Sequence, residues 1–192
     1  ASQFAVYGPT FLDVVMGPLD GPPVPGREAW VEGALMCAGG AANQAIALAR
    51  LGAPVRLHSR VGVDQMGVFV DKMLAREGVD TSSCERVGDQ NVTVSLSFDG
   101  DRAMTTRGTT ALPRLGGDAP ACLLADVRGI SANSEVVSSW RERGTWVLAD
   151  TAWDEAGAWD EADLESLRLA DVCTPNEEEA LAYARTESVE DA

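Results

Sequence analysis

The run Gly39-Gly40-Ala41-Ala42-Asn43-Gln44-Ala45-Ile46-Ala47-Leu48-Ala49-Arg50-Leu51-Gly52 decides how the chain is read. Alanine and leucine are strong helix formers, no β-branched run interrupts them, and Gly52 stands where a C-terminal cap belongs. The pattern predicts a helix that begins at a glycine turn. On its N-terminal side Phe4–Gly8 reads as an apolar strand, and Phe11–Met16 as a second apolar run with a lone Asp13 inside it. Gly17–Gly26 holds four prolines and reads as an irregular loop, and Trp30–Met36 as another short strand. On the C-terminal side Val55–Ser59 reads as a strand, Gly62–Gly67 as a loop, and Val68–Arg76 as a helix ended by Gly78. Strand–helix alternation of this kind predicts an α/β fold, Rossmann-like, with a mostly parallel sheet flanked by helices.

The middle of the chain departs from that alternation. Val92, Val94, Leu96 and Phe98 share one face of an extended segment, and Thr93, Ser95 and Ser97 share the other. Asp99-Gly100 follows, then Arg102–Thr106. Asp-Gly between two strand-like runs is a strong hairpin signal, so a small β lid over roughly residues 11–17, 30–36 and 92–106 is expected to project from the α/β layer. After Gly108 the alternation resumes. Cys122–Ile130 reads as strand, Val136–Arg143 as helix, Trp146–Asp150 as a strand ending in an acid, Glu161–Leu169 as helix, Asp171–Thr174 as a short strand and Glu177–Arg185 as helix.

Composition narrows the function. Of 192 residues, 45% are hydrophobic and 23% charged, which is globular composition and rules out wholesale disorder. Fifteen basic against thirty acidic residues leave a net charge of −15, a field that opposes nucleic-acid binding. No run of about 18 apolar residues suggests a membrane span, and no signal peptide is visible at Ala1–Phe4, so a cytoplasmic location is expected. Cys37, Cys84, Cys122 and Cys173 form no CxxC pair and read as reduced thiols. The single histidine, His58, excludes HExxH zinc chemistry and reads as a strand residue with no catalytic task.

Three groups of residues carry candidate chemistry. Gly39 and Gly40 ahead of a helix let backbone approach a ligand closely, and Asn43 in the first turn both donates and accepts, which suits a polyol. The competing reading is a tight strand-to-helix connection; neither a Walker A loop nor a GxGxxG fingerprint is present. Asp13 is a carboxylate inside an apolar strand, costly unless paired or facing a cleft, and suited to accepting two adjacent hydroxyls. In Thr174-Pro175-Asn176-Glu177-Glu178-Glu179, Asn176 and Glu179 have capping-box spacing. They also stand at the carboxyl end of a strand, where open α/β sheets bind ligands and a carboxylate can hold hydrated Mg2+.

Together these residues resemble the ribokinase-like (PfkB) family of carbohydrate kinases. The first family signature runs from Ala38 through Gly39, Asn43, Ala45 and Gly52 to Gly62. Val61-Gly62-Val63-Asp64-Gln65-Met66-Gly67 matches its Val-Gly-x-Asp-x-x-Gly, and Thr174–Glu179 its Asn-x-x-Glu motif. Glu77-Gly78-Val79-Asp80-Thr81 and Arg107-Gly108 also have counterparts there. The resemblance implies a kinase that phosphorylates a sugar hydroxyl with Mg2+ and ATP as cofactors. Asp13, Gly39, Gly40 and Asn43 would hold the sugar, Asn176 would serve the nucleotide phosphates and Glu179 the metal. It further implies a lid that closes over the sugar and doubles as a homodimer contact. Two departures stand out. The family's Gly-Ala-Gly-Asp segment with its catalytic aspartate is absent, so residues 1–192 read as the N-terminal part of one α/β kinase domain, inactive alone. The family's Asp-x-Asn is replaced by Asp150-Thr151-Ala152. The alternatives are a non-catalytic sugar-binding or regulatory protein of the same fold and, against the missing GxGxxG, a nucleotide-binding oxidoreductase. Ribose, fructose, a ketodeoxy acid and nucleosides all remain open as substrates.

Overall fold

A computed structural model describes residues 3–151, 154 and 157–191. In chain order the elements are β1 (Phe4–Tyr7), β2 (Thr10–Leu19), β3 (Gly33–Gly40), α1 (Ala41–Arg50), β4 (Val55–His58), β5 (Arg60–Val61), α2 (Gln65–Arg76), β6 (Glu85–Arg86), β7 (Asn91–Phe98), β8 (Asp101–Arg107), β9 (Cys122–Asp126), α3 (Val127–Ala132), α4 (Ser134–Glu142), β10 (Trp146–Asp150), α5 (Glu161–Glu165), β11 (Val172–Cys173) and α6 (Glu177–Ala184). Five strands pair in parallel in the order β11-β10-β9-β1-β4, so β1 lies inside the sheet between β9 and β4. Parallel strands covered on both faces need apolar side chains on both. Val6, Val55 and Leu57 pack with Ala42 and Ala45 of α1 and Val70 and Leu74 of α2. On the opposite face Ala5, Leu123 and Val147 pack with Ile130 of α3 and Val137 and Trp140 of α4.

The lid is a second sheet, ordered β3-β2-β7-β8. β2 runs antiparallel to β3 and parallel to β7, and β7 and β8 form a hairpin through Asp99-Gly100. Both turn residues have positive φ, 53° and 79°, the geometry a tight two-residue hairpin requires. Residues opposite each other share a face. Asp13, Cys37, Thr93 and Thr106 therefore lie on one face, and Val14, Met36, Val94 and Thr105 on the other. On β7 the hydroxyl-bearing side is the buried one, Thr93 being 8% exposed and Val94 38%, whereas on β2 and β3 the side shared with Val94 carries Leu12 and Ala38, 5% and 1% exposed, in the main core. The hydroxyls of Thr93 and Thr106 are bonded at 3.0 Å across the hairpin.

Element boundaries differ from those expected. The lid strands are 10–19, 33–40 and the pair 91–98 and 101–107, in place of 11–17, 30–36 and 92–106. The long ladder between β2 and β3 draws Cys37–Gly40 into strand, so Gly39 and Gly40 end a strand instead of forming a separate turn. Trp30 stays outside, 88% exposed. α2 begins at Gln65, ahead of the expected Val68, because Asp64 caps it, accepting the Gly67 amide at 2.8 Å. Gly62 and Gly67 are packing requirements. A Cβ on Gly67 would strike the Gly62 carbonyl, and one on Gly62 the Gln90 backbone. The segment expected as strand through Ile130 turns helical after Asp126, whose carboxylate accepts the Gly129 amide. All four cysteines are free thiols, Cys173 exposed and Cys37 partly so. His58 is buried with its ring edge-on to Trp140, centroids 6.5 Å apart. Among the described residues no helix is long and apolar enough to cross a membrane.

Candidate functional site

The chain leaves β1 through Gly8 and Pro9 into the lid and returns through Gly40 into α1, so two crossings lie side by side at the carboxyl end of the parallel sheet. Ser59 donates to the Gly8 carbonyl at 2.7 Å, and its hydroxyl lies 2.8 Å from that of buried Thr10. Since the one Ser59 proton goes to Gly8, Thr10 is the donor in that pair. The Ala41 amide donates to the Pro9 carbonyl at 2.9 Å. Gly40 has φ 63° and lies against Pro9 and the Phe11 ring, leaving no room for a Cβ. It caps α1 without a side-chain hydrogen bond, so the positive end of the helix dipole faces this crossing.

Asp13 and Gly39 meet directly. The Asp13 carboxylate occupies the volume that a Cβ on Gly39 would take. Burial holds the Asp13 carboxyl above its ordinary range, against the opposing attraction of Arg102. Burial, and then the Asp13 charge, also push up the thiol of its cross-strand neighbour Cys37. One step away, Tyr7, Pro9, Gly40, Ala41, Gln44, Asp126 and Asp150 line a cleft of about 250 Å3. The predicted group is thus brought together only in part. Asp13, Gly39 and Gly40 are adjacent, whereas Asn43 is exposed on α1 and its neighbour Gln44 lines the cleft.

Asp126 and Asp150 were absent from the sequence-based site. They are paired in register at the ends of β9 and β10. The available signal was an acid closing each strand, visible at Asp150 but hidden at Asp126 inside a longer predicted strand. Burial raises the Asp126 pKa, resisted by the Gly129 amide and assisted by the Asp150 charge.

Asn176 and Glu179 lie further along the same sheet edge, after β11, three strands from β1 and hence about 14 Å away. They form a complete capping box: the Glu179 amide donates to Asn176 Oδ1 at 2.9 Å, and the Asn176 amide donates to Glu179 Oε2 at 3.1 Å. Glu179 is 6% exposed, and its Oε2 also accepts the Thr151 hydroxyl at 2.6 Å. That bond ties α6 to the end of β10, next to Asp150. Ala152, at the departure from Asp-x-Asn, lies outside the described residues. Among the described residues no three ligating side chains converge into a metal cage. A single buried carboxylate fits Mg2+ held through water and phosphate, the usual manner of that ion.

Residues 31–112 match the pfkB family of carbohydrate kinases. A 56-residue stretch is 46% identical to 2-dehydro-3-deoxygluconokinase of Bacillus subtilis, covering 29% of this chain and 17% of that protein. The whole chain superposes on a candidate ribokinase from Agrobacterium tumefaciens with TM-score 0.82 at 20% identity, spanning 65% of its length. It also superposes on Arabidopsis thaliana ribokinase complexed with ribose and ATP, TM-score 0.73 at 23% identity, spanning 66%. The fold is ribokinase-like, and residues 31–112 are similar to the pfkB family of carbohydrate kinases. The chain thus spans about two thirds of these structures and a sixth of the curated relative.

The Asp126 shift has a sign that can be measured. A carboxyl raised in the folded state penalises folding once it ionises. The penalty is absent below the unfolded value, about pH 4, and complete above the folded one. Asp126→Asn keeps an acceptor for the Gly129 amide and removes the charge. Its melting temperature should exceed that of the wild type at pH 8, by about 2–4 °C for each 1 kcal/mol recovered, and the gap should close towards pH 4. Scanning fluorimetry across that range checks this; an equal or lower value at pH 8 contradicts it.

Proposed function

We propose that the intact protein transfers the terminal phosphoryl group of ATP to a hydroxyl of a sugar or sugar-like acceptor. The observation that supports this reading is the Asp13 carboxylate lodged over Gly39, next in sequence to Gly40, which lines the cleft at the N-terminus of α1. A half-buried carboxylate with open acceptor positions can take the protons of two neighbouring hydroxyls, and charge-assisted bonds of this kind contribute about 1.5–3 kcal/mol each. Gly39 and Gly40 bring backbone close to the acceptor. Asn43 and Gln44, consecutive on the first turns of α1, supply amides, with Gln44 nearer the cleft. Asn176 and Glu179 would face the phosphates and hydrated Mg2+ from the far end of the sheet edge, Glu179 oriented by Thr151. Mg-ATP supplies the phosphoryl group and the charge neutralisation it needs. The chain's own contribution is positioning and exclusion of water, which suits phosphoryl transfer. The polar face of the lid would close over the acceptor. A general base for the acceptor proton, which the family carries in Gly-Ala-Gly-Asp, has no counterpart in these 192 residues.

A test uses the intact protein with D-ribose, D-fructose and 2-dehydro-3-deoxygluconate, following ADP release and phosphosugar formation. Turnover with at least one sugar is expected. Asp13→Ala should weaken its binding by more than about tenfold with little change in melting temperature. Glu179→Gln, which keeps a cap acceptor, should retain stability and lose Mg2+-dependent turnover. Sugar binding without ADP release would favour a non-catalytic sugar-binding protein of the same fold.

The same reading places a second copy against the outer face of the lid. A chain of net charge −15 repels its own copies over most of its surface. This face carries Val14, Met16, Met36 and Val94, where two copies meet without opposed charges. Sedimentation equilibrium should show a dimer that Val94→Glu dissociates. A monomeric wild type, or a dimer indifferent to the change, contradicts the contact.

A further inference from the structure

Gln90 stands where the lid leaves the main sheet. It is 1% exposed, and its side chain uses both ends. Oε1 accepts the Gly62 amide at 3.0 Å, and Nε2 donates to the carbonyls of Thr10 at 2.9 Å and Asn91 at 3.2 Å. The Gln90 amide donates to Asp64 Oδ2 at 3.3 Å, and Gly62 lies against the Gln90 backbone. One amide side chain therefore joins the first residue of β2, the first residue of β7 and the loop that leads into α2.

The bond to Thr10 matters because of what lies three residues along β2. β2 and β7 are parallel, with Phe11 opposite Asn91 and Asp13 opposite Thr93. No tight turn joins them; the connection passes through β3, α1, β4 and α2, so no local geometry sets their register. A slip of one residue would turn Asp13 to the apolar face of the lid. Gln90 bridges the two strand starts three residues before Asp13. Asn91, next in sequence, fastens the other end of the hairpin. Its Oδ1 accepts the Thr109 amide at 2.9 Å, and its Nδ2 donates to the Thr109 carbonyl at 3.0 Å.

We propose that Gln90 is a positioning residue for the acceptor site: it pins β2 against β7 and so holds Asp13 on the face of the lid where it meets Gly39, without touching the acceptor. The inference rests on the reading of Asp13 as an acceptor-binding group. Only an amide satisfies the arrangement. A glutamate would set a charged oxygen against two carbonyls, and a methionine of similar length would remove all three side-chain hydrogen bonds.

The experiment is calorimetric titration of the intact protein with D-ribose, D-fructose and 2-dehydro-3-deoxygluconate. Wild type, Gln90→Met, Gln90→Glu and Asp13→Asn are compared, each well below its own melting temperature. The sugar that the wild type binds should be bound about tenfold more weakly, or worse, by the folded Gln90 variants, and similarly by Asp13→Asn. A Gln90 variant that melts earlier yet binds within about twofold of the wild type overturns the proposal and leaves Gln90 a packing residue. Should one Gln90 variant fail to fold, the other carries the same comparison. A wild type that binds none of the three sugars, or Asp13→Asn binding like the wild type, overturns the acceptor-site reading, and this inference with it.

Discussion

The structure turns on a single exclusion of volume. The Asp13 carboxylate of β2 sits where residue 39 on the paired strand β3 would carry a Cβ, so it can lie across β3 there only because residue 39 is glycine. Gly40 repeats the condition one residue on, against Pro9 and Phe11, and there a positive φ adds a backbone reason for glycine. Gly39 thus makes room for Asp13 within the lid sheet, and Gly40 for the crossing where β1 ends and α1 begins. The Asp13 carboxylate is half-buried and raised by burial, and it lies over Gly39, one residue in sequence from the Gly40 that lines the cleft.

From that point the layout follows the logic of parallel sheets. Strand ends gather at one edge, and polar residues stand on the turns that follow them. Tyr7, Asp126, Asp150 and the Thr151–Glu179 pair occupy successive strand ends across the sheet. On the proposed reading the edge divides into an acceptor half near β1 and β9 and a phosphate half near β10 and β11. The family match spans residues 31–112, which include the glycine pair and most of the lid.

The parts of this arrangement legible in the sequence were those with local causes. The α1 helix, the Asp-Gly hairpin and the Asn176–Glu179 box depend on residues close together in the chain, and each lies where its pattern indicated. The strand limits of the lid were not legible. Whether Cys37–Gly40 is strand or turn depends on pairing with Thr10–Asp13, some thirty residues away. Asp126 was hidden because an apolar run through Ile130 reads as strand until the carboxylate is seen to cap α3. Asn43 and Gln44 both occupy the first turns of α1, and only the packing of the helix on the sheet decides that Gln44 lines the cleft. Alternation in β7 separated its two faces correctly but carried no information about which one is buried, and the polar face is.

The most direct measurement of the central claim is the sugar affinity of Gly39→Ala in the intact protein. Residue 39 has no positive φ, so alanine is compatible with its backbone, and the three atoms nearest the new methyl group all belong to the Asp13 carboxylate. If that carboxylate holds the acceptor, the methyl group displaces it, and affinity for the preferred sugar falls by about tenfold or more while the protein stays folded. A folded Gly39→Ala protein that binds sugar as tightly as the wild type would show that the acceptor is held elsewhere.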